Sequence, residues 1–167
     1  MKNLAYAYTL VNGEPPTRCA EIIEHNIRFC KDAGADFFVK KFDVKDGETA
    51  IGTSDVMRIY NAATIPQTLY VDWDCKILRL PNFDVNRALT SMWIGDGLKD
   101  IWAIYNGVQT PTFLWLYHNV DEQKTKSGKF GDYGKLLNSV QCSDVDFFPD
   151  DCFEHVGIHA SAFLRKV

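Results

Sequence analysis

Between Leu4 and Val11 the chain is almost unbroken in apolar and aromatic residues, then stops at Asn12-Gly13, as a buried strand entering a turn would. Glu14-Pro15-Pro16 forms a loop. Thr17 is placed to cap a helix predicted to reach Ala33. Cys19, Ile23, Ile27 and Cys30 recur at helical spacing along it, and Gly34 stands where a C-terminal glycine belongs. Phe37 to Phe42 is a second apolar strand. Strand, helix and strand in that order imply a parallel pair joined by a right-handed crossover.

The pattern continues past a polar loop from Asp43 to Thr53. Ser54 is a good N-cap, and Asp55 suits a first turn, where the helix dipole is positive. This helix should end before Pro66. Thr68 to Val71 reads as a third strand running into Asp72-Trp73-Asp74, and Lys76 to Leu80 as a fourth, stopped by Pro81. Ser91 to Ile94 is another strand. Gly95-Asp96-Gly97 is a turn, and Leu98 to Tyr105 fits a helix closed by Asn106-Gly107. Thr112 to Leu116 suits helix or strand equally. Val120 to Gly134 is a polar loop, and the tail from Phe147 to His159 is aromatic and carries histidines.

Composition narrows the class. A length of 167 residues favours one domain, residues 1–167. With 46% hydrophobic and 24% charged residues, the chain can bury a core and is not a disordered one. A net charge of -4 without any long basic run gives no support to a nucleic-acid partner. No window approaches the ~18 consecutive apolar residues of a membrane span. Cys19, Cys30, Cys75, Cys142 and Cys152 are odd in number and contain no CxxC pair, the usage of free thiols in a reducing compartment. The opening Met1-Lys2-Asn3-Leu4 lacks the apolar stretch of a signal peptide, so a cytoplasmic protein is expected.

Three groups of residues could carry chemistry. If the backbone is still extended at Asp72-Trp73-Asp74, the two carboxylates share one face and Trp73 points away. Such a pair repels itself unless compensated, which suggests Mn²⁺ or Mg²⁺. The competing reading is an exposed turn with two solvated aspartates. Asp55 and Arg58 are i, i+3 neighbours on the second helix; they form a surface ion pair or else both reach a bound ligand. His155 and His159 are four apart, but Gly157 and the β-branched Val156 and Ile158 disfavour a helix there; each histidine is either a packing residue or a ligand. Tyr8, Tyr70 and Trp73 lie near strand ends and could stack on a base, although core packing is the commoner use of such rings.

The order Ser54-Asp55-x-x-Arg58, a helix, then Tyr70-Val71-Asp72-Trp73-Asp74 resembles the signature of DXD sugar transferases of the GT-A fold. The similarity is to the capsular-polysaccharide and mannosyltransferase group, whose core the glucosylating clostridial toxins share. Asn12 to Pro16 with the helix and strand after it resembles that family's opening βαβ unit, Gln109-Thr110-Pro111 its Thr-Gly-Pro segment, and Phe147-Phe148-Pro149 with His159-Ala160-Ser161-Ala162-Phe163 its closing elements. Ile65-Pro66-Gln67-Thr68 stands where the family has a Gly-Gly pair, and Phe163 where it has tryptophan. The resemblance implies an α/β fold: a compact, Rossmann-like mixed sheet flanked by helices, in a minimal version with a reduced acceptor region.

It also implies roles. Asp72 would contact the donor's ribose or sugar and reach the metal through water; Asp74 would bind the metal directly, and His159 would complete the site. Asp55 and Arg58 would hold the donor sugar and phosphates, Tyr8 and Tyr70 would lie near the donor, and Ser161 would lie near the diphosphate. The activity implied is sugar transfer from a UDP- or GDP-sugar to an unknown acceptor, with retention at the anomeric carbon and no catalytic base assigned. Two other readings compete: a non-catalytic nucleotide-sugar-binding or interaction module on the same fold, and a metal-dependent phosphoester hydrolase, for which no two-metal cluster is visible.

Overall fold

The computed structural model describes residues 1–14, 17–44, 47, 50–91, 102–108, 110–115, 117–118 and 144–155. The chain opens as expected, with β1 (Tyr6–Asn12), α1 (Thr17–Asp32) and β2 (Phe37–Phe42). β1 and β2 are parallel, with Tyr8 opposite Phe38. Gly34 ends α1 at φ 82°: its N–H donates to Lys31 O at 3.0 Å while Ala35 N–H donates to Cys30 O at 2.8 Å. That pair of bonds is a Schellman cap, which requires a residue able to adopt the left-handed conformation.

The remaining elements are α2 (Ala50–Thr64), β3 (Thr68–Val71), β4 (Cys75–Ile77), β5 (Ala88–Thr90), β6 (Ala103–Asn106), β7 (Val145–Phe147) and β8 (Phe153–His155). Residues 111–115 and 117–118 are helical, which settles the segment whose apolar run fitted either state. Six strands form one mixed sheet in the order β2-β1-β3-β6-β5-β7, and β4 pairs with β8 in a separate two-stranded sheet. β3 is parallel to β1 and antiparallel to β6.

Alternation along the strands sends residues to two cores. Tyr8, Leu10 and Tyr70 pack with Ile59, Ala62 and Ala63 of α2. Ala7, Leu69 and Val71 pack with Ile23 and Cys30 of α1 and with the β4–β8 pair. The sheet is therefore an α/β layer flanked by helices on both faces.

Three expectations need correction, and a fourth falls outside the described residues. The helix expected over Leu98 to Tyr105 is instead strand β6 at its described end; all four of its residues are buried, and a central strand covered on both faces loses the alternation that would reveal it. Of the strand expected at Ser91 to Ile94 only Ser91 is described, and 92–94 lie outside the described residues; a strand, β5, precedes it at Ala88–Thr90. α2 begins at Ala50, so Ser54 is interior to the helix and does not cap it. On α1, Ile27 is 40% exposed and Asn26 takes the core position at 1%.

Candidate functional site

β1 runs to Asn12 between β2 on one side and β3 on the other, so the crevice at the carboxyl ends of β1 and β3 is a switch point of the sheet, where open α/β folds bind ligands. Asp72 follows β3 directly at that end. The backbone is not extended there. Cys75 N–H donates to Asp72 O at 3.0 Å and closes a turn over Asp72, Trp73, Asp74 and Cys75. The argument that strand alternation aligns the two carboxylates therefore fails. The solvated-turn reading fails as well, because Asp72 is 8% and Asp74 3% exposed.

α2 supplies the partner. Arg58, 6% exposed, places Nη1 3.3 Å from Asp72 Oδ1. Its Nη2 donates to Ser54 Oγ at 2.8 Å, one helical turn back, and its Cζ sits 4.6 Å from the centre of the Tyr70 ring. The Tyr70 hydroxyl donates to Asp72 Oδ1 and also bonds to the Ser54 side chain. Ser54, Arg58, Tyr70 and Asp72 thus form one buried network spanning α2 and the end of β3. Charge-assisted bonds of this kind are what make a buried carboxylate tolerable. Burial pushes the Tyr70 hydroxyl well above its ordinary pKa; the neighbouring Asp72 adds to the rise and Arg58 opposes it. It remains a donor at neutral pH.

The same field reaches the far side of the turn. Burial first, then the charges of Asp72 and Asp74, push the Cys75 thiol well above its ordinary pKa. Both carboxylates therefore act on one small buried volume, where Arg58 is near Asp72.

The structure distributes the other candidates as follows. Arg58 is buried, not a surface residue, and its partners include Asp72 and Ser54. The side chain of Asp55 lies outside the described residues, as do Gln109, His159, Ser161 and the side chain of His155. Tyr8 is enclosed, with ring centres 5.4 Å from Tyr70 and 6.0 Å from Tyr6, and its hydroxyl bonds to Asn61. Burial raises its pKa. The core-packing use of Tyr8 is the one this geometry supports, in place of base stacking. Thr110 donates to Asn106 Oδ1 at 3.2 Å, beside the start of β3, so the Thr110-Pro111 segment sits at the opposite end of that strand from Asp72.

Sequence reasoning gave Ser54 the wrong role and missed Asn26 altogether. Ser54 looked like a cap, yet it orients Arg58. Asn26 donates from Nδ2 to Cys75 O at 2.9 Å and accepts from Ile77 N–H at Oδ1, 2.8 Å away. A polar side chain in the series 19, 23, 26, 30 of an amphipathic helix was the available signal.

Among the described residues, no group of three or more His, Cys, Asp or Glu side chains is arranged to hold a metal ion, and no helix is long and apolar enough to cross a membrane. No protein-family model matches the chain, and no curated protein matches it. Two solved structures share its fold over nearly their full lengths. One is a glycosyltransferase involved in the glycosylation of the major capsid of PBCV-1, with a TM-score of 0.56, 11% identity, and coverage of 96% of this chain and 98% of that one. The other is the CTP:phosphocholine cytidylyltransferase of Streptococcus pneumoniae, with a TM-score of 0.52, 12% identity, and coverage of 98% and 97%. At such identities the likeness concerns the fold alone, a Rossmann-like α/β architecture.

Proposed function

We propose that the chain is a metal-dependent glycosyltransferase that moves a sugar from a UDP- or GDP-sugar to an acceptor, with retention. The observation that carries this reading is the buried Ser54–Arg58–Tyr70–Asp72 network at the sheet's switch point, in a fold that a glycosyltransferase also adopts. In this reading Arg58 is the cation that meets the donor's phosphates or sugar, with Ser54 and Asp72 fixing its direction. Asp55, on the same helix, lies one turn from it in sequence and shares that work.

The donor set fits a hard divalent cation as far as it is described. Asp72 and Asp74 are both buried and offer carboxylate oxygens, and Arg58 balances one of the two charges. Asp72 Oδ1 is already shared by Arg58 and Tyr70, so Asp74 is the direct ligand and Asp72 the indirect one. His159 is the proposed third ligand, and Ser161 the proposed neighbour of the diphosphate. Mn²⁺ or Mg²⁺ bound there would neutralise charge on the departing diphosphate. The protein's own part is to hold Arg58 and the carboxylates in fixed directions, so that little reorganisation is needed as charge develops.

The shared fold of a cytidylyltransferase favours a second reading, nucleotidyl transfer from a nucleoside triphosphate to a phosphorylated acceptor. One experiment separates the two. The protein is incubated with UDP- and GDP-sugars, or with nucleoside triphosphates and sugar phosphates, in Mn²⁺ or EDTA. Nucleoside diphosphate released from one donor with Mn²⁺, and lost in Asp74→Ala, supports sugar transfer. Pyrophosphate release from a triphosphate supports the second reading. Donor-induced thermal stabilisation without turnover supports a non-catalytic binding module, and neither release nor stabilisation refutes all three.

A further inference from the structure

We propose that Asn26 is a positioning residue for the turn that carries Asp74, an inference that rests on the sugar-transfer reading of that turn. β4 leaves the main sheet immediately after the turn and pairs on one edge with β8. Its other edge faces α1, where no strand is available. A helix offers no backbone groups sideways, because its own N–H and C=O groups are spent along the axis. Asn26 fills the gap. Its side-chain amide presents one donor and one acceptor to the same edge of β4, bonding Cys75 C=O at 2.9 Å and Ile77 N–H at 2.8 Å, as a neighbouring strand would. His25 Nε2 lies 2.8 Å from Ile77 O and secures the next group.

The consequence for the turn follows from where these bonds fall. Asp72 N–H donates to Trp102 O at 2.8 Å, so the turn is fixed to the main sheet at its first residue. At its last residue, the Cys75 N–H closes the turn onto Asp72 and the Cys75 C=O is held by Asn26. Asp74 lies between these two anchors. The first anchor is backbone to backbone, whereas the second combines the pairing of β4 with β8 and the Asn26 side chain. An apolar residue would satisfy the core pattern of α1 at position 26 without the desolvation cost of an amide. What the amide adds is register: a buried polar pair accepts one alignment of α1 with β4 and penalises a slip.

The test compares the full-length protein with Asn26→Leu, Asn26→Asp and a control, Asn106→Leu. Asn106 is also a buried amide, bonded to Ala62 O, but it pairs with Thr68 at the far end of β3. Two quantities are read at a temperature where each variant is folded: amide exchange at Ile77, and the Kd for the best-binding UDP- or GDP-sugar in Mn²⁺. Asn26→Leu should speed Ile77 exchange and weaken the donor by about 10- to 100-fold, the usual cost of removing an outer-shell partner. Asn26→Asp keeps the acceptor for Ile77 N–H and loses the donor to Cys75 O, so it should fall between. Asn106→Leu should lose thermal stability and keep its Kd. A folded Asn26→Leu with wild-type Kd overturns the inference, as does equal weakening in Asn106→Leu. If Asn26→Leu does not fold, Asn26→Asp decides by the same criterion. If the wild-type protein binds no donor, the sugar-transfer reading fails by itself. Ile77 exchange then still judges the clamp: faster exchange in Asn26→Leu upholds it, and unchanged exchange in Asn26→Leu refutes it.

Discussion

Replacing Arg58 by methionine tests the central network most directly. Methionine keeps much of the volume and helix propensity of arginine while removing the charge and all five donors. Asp72 would be left as a buried carboxylate facing the Tyr70 hydroxyl, without its guanidinium. Removing one partner of a buried pair costs about 3–5 kcal/mol. Here the separation of 3.3 Å is loose for a charge-assisted bond, and Tyr70 still donates to the same oxygen. The lower end applies, about 3 kcal/mol. For a domain of this size that lowers Tm by roughly 6–12 °C. The double variant Arg58→Met/Asp72→Asn should recover part of this, because an uncharged amide needs no counter-charge. Urea unfolding of the wild type, both single variants and the double variant gives the coupling between the two sites. A loss below about 1 kcal/mol for Arg58→Met, with no coupling to Asp72, is what an exposed pair would give and would refute the buried-network argument.

Other consequences are quicker to check. Gly107→Ala would put a Cβ 2.5 Å from the backbone carbonyl of Val85, an overpacking with no flexible side chain to yield, so a loss of about 2–3 kcal/mol is expected in urea titration and a neutral result would contradict the packing. The thiols of Cys30, pushed up by burial to about 11, and Cys75, raised by burial and then by Asp72 and Asp74, should resist iodoacetamide at pH 8 until the protein unfolds; modification of either at the denatured rate, mapped by mass spectrometry, would show that the α1 core is open. The Arg87–Asp146 and Arg79–Asp151 pairs lower both aspartate pKa values by direct hydrogen bonding. Since the folded values are the depressed ones, their contribution is complete above the ordinary value of 3.8 and fades as pH falls through the lowered values. Both pairs are exposed, so this acid-side loss should be small and should shrink in 1 M salt, where screening acts within about 3 Å.

How far the sequence could be read depended on whether an element had a visible boundary or touched water. β1, α1, β2 and β3 could be placed closely because each had a visible boundary or an exposed face: Asn12-Gly13 after β1, Gly34 after α1, Pro66 before β3. β6 could not, because Ala103, Ile104, Tyr105 and Asn106 are all buried, and a fully enclosed strand carries no alternation to distinguish it from a helix. The site shows the same divide. Ser54, Arg58, Tyr70 and Asp72 could be grouped by the order of their motif, and the fold brings them together, yet their geometry came out differently from the local rules. Asp72 and Asp74 do not share a strand face, since a turn intervenes; Ser54 does not cap α2, since the helix starts four residues earlier. Local rules describe what a residue does for its own element. Arg58 and Asn26 act between elements, Arg58 from α2 onto the end of β3 and Asn26 from α1 onto β4, and such pairings exist only once the layers have packed. A polar residue at a core position of an amphipathic helix is the one trace of them that a sequence carries. Both residues leave that trace: each is a buried polar side chain on the helix face turned toward the sheet. In this chain those two positions meet the Asp72–Cys75 turn from opposite layers, Arg58 of α2 at the Asp72 carboxylate and Asn26 of α1 at the Cys75 carbonyl.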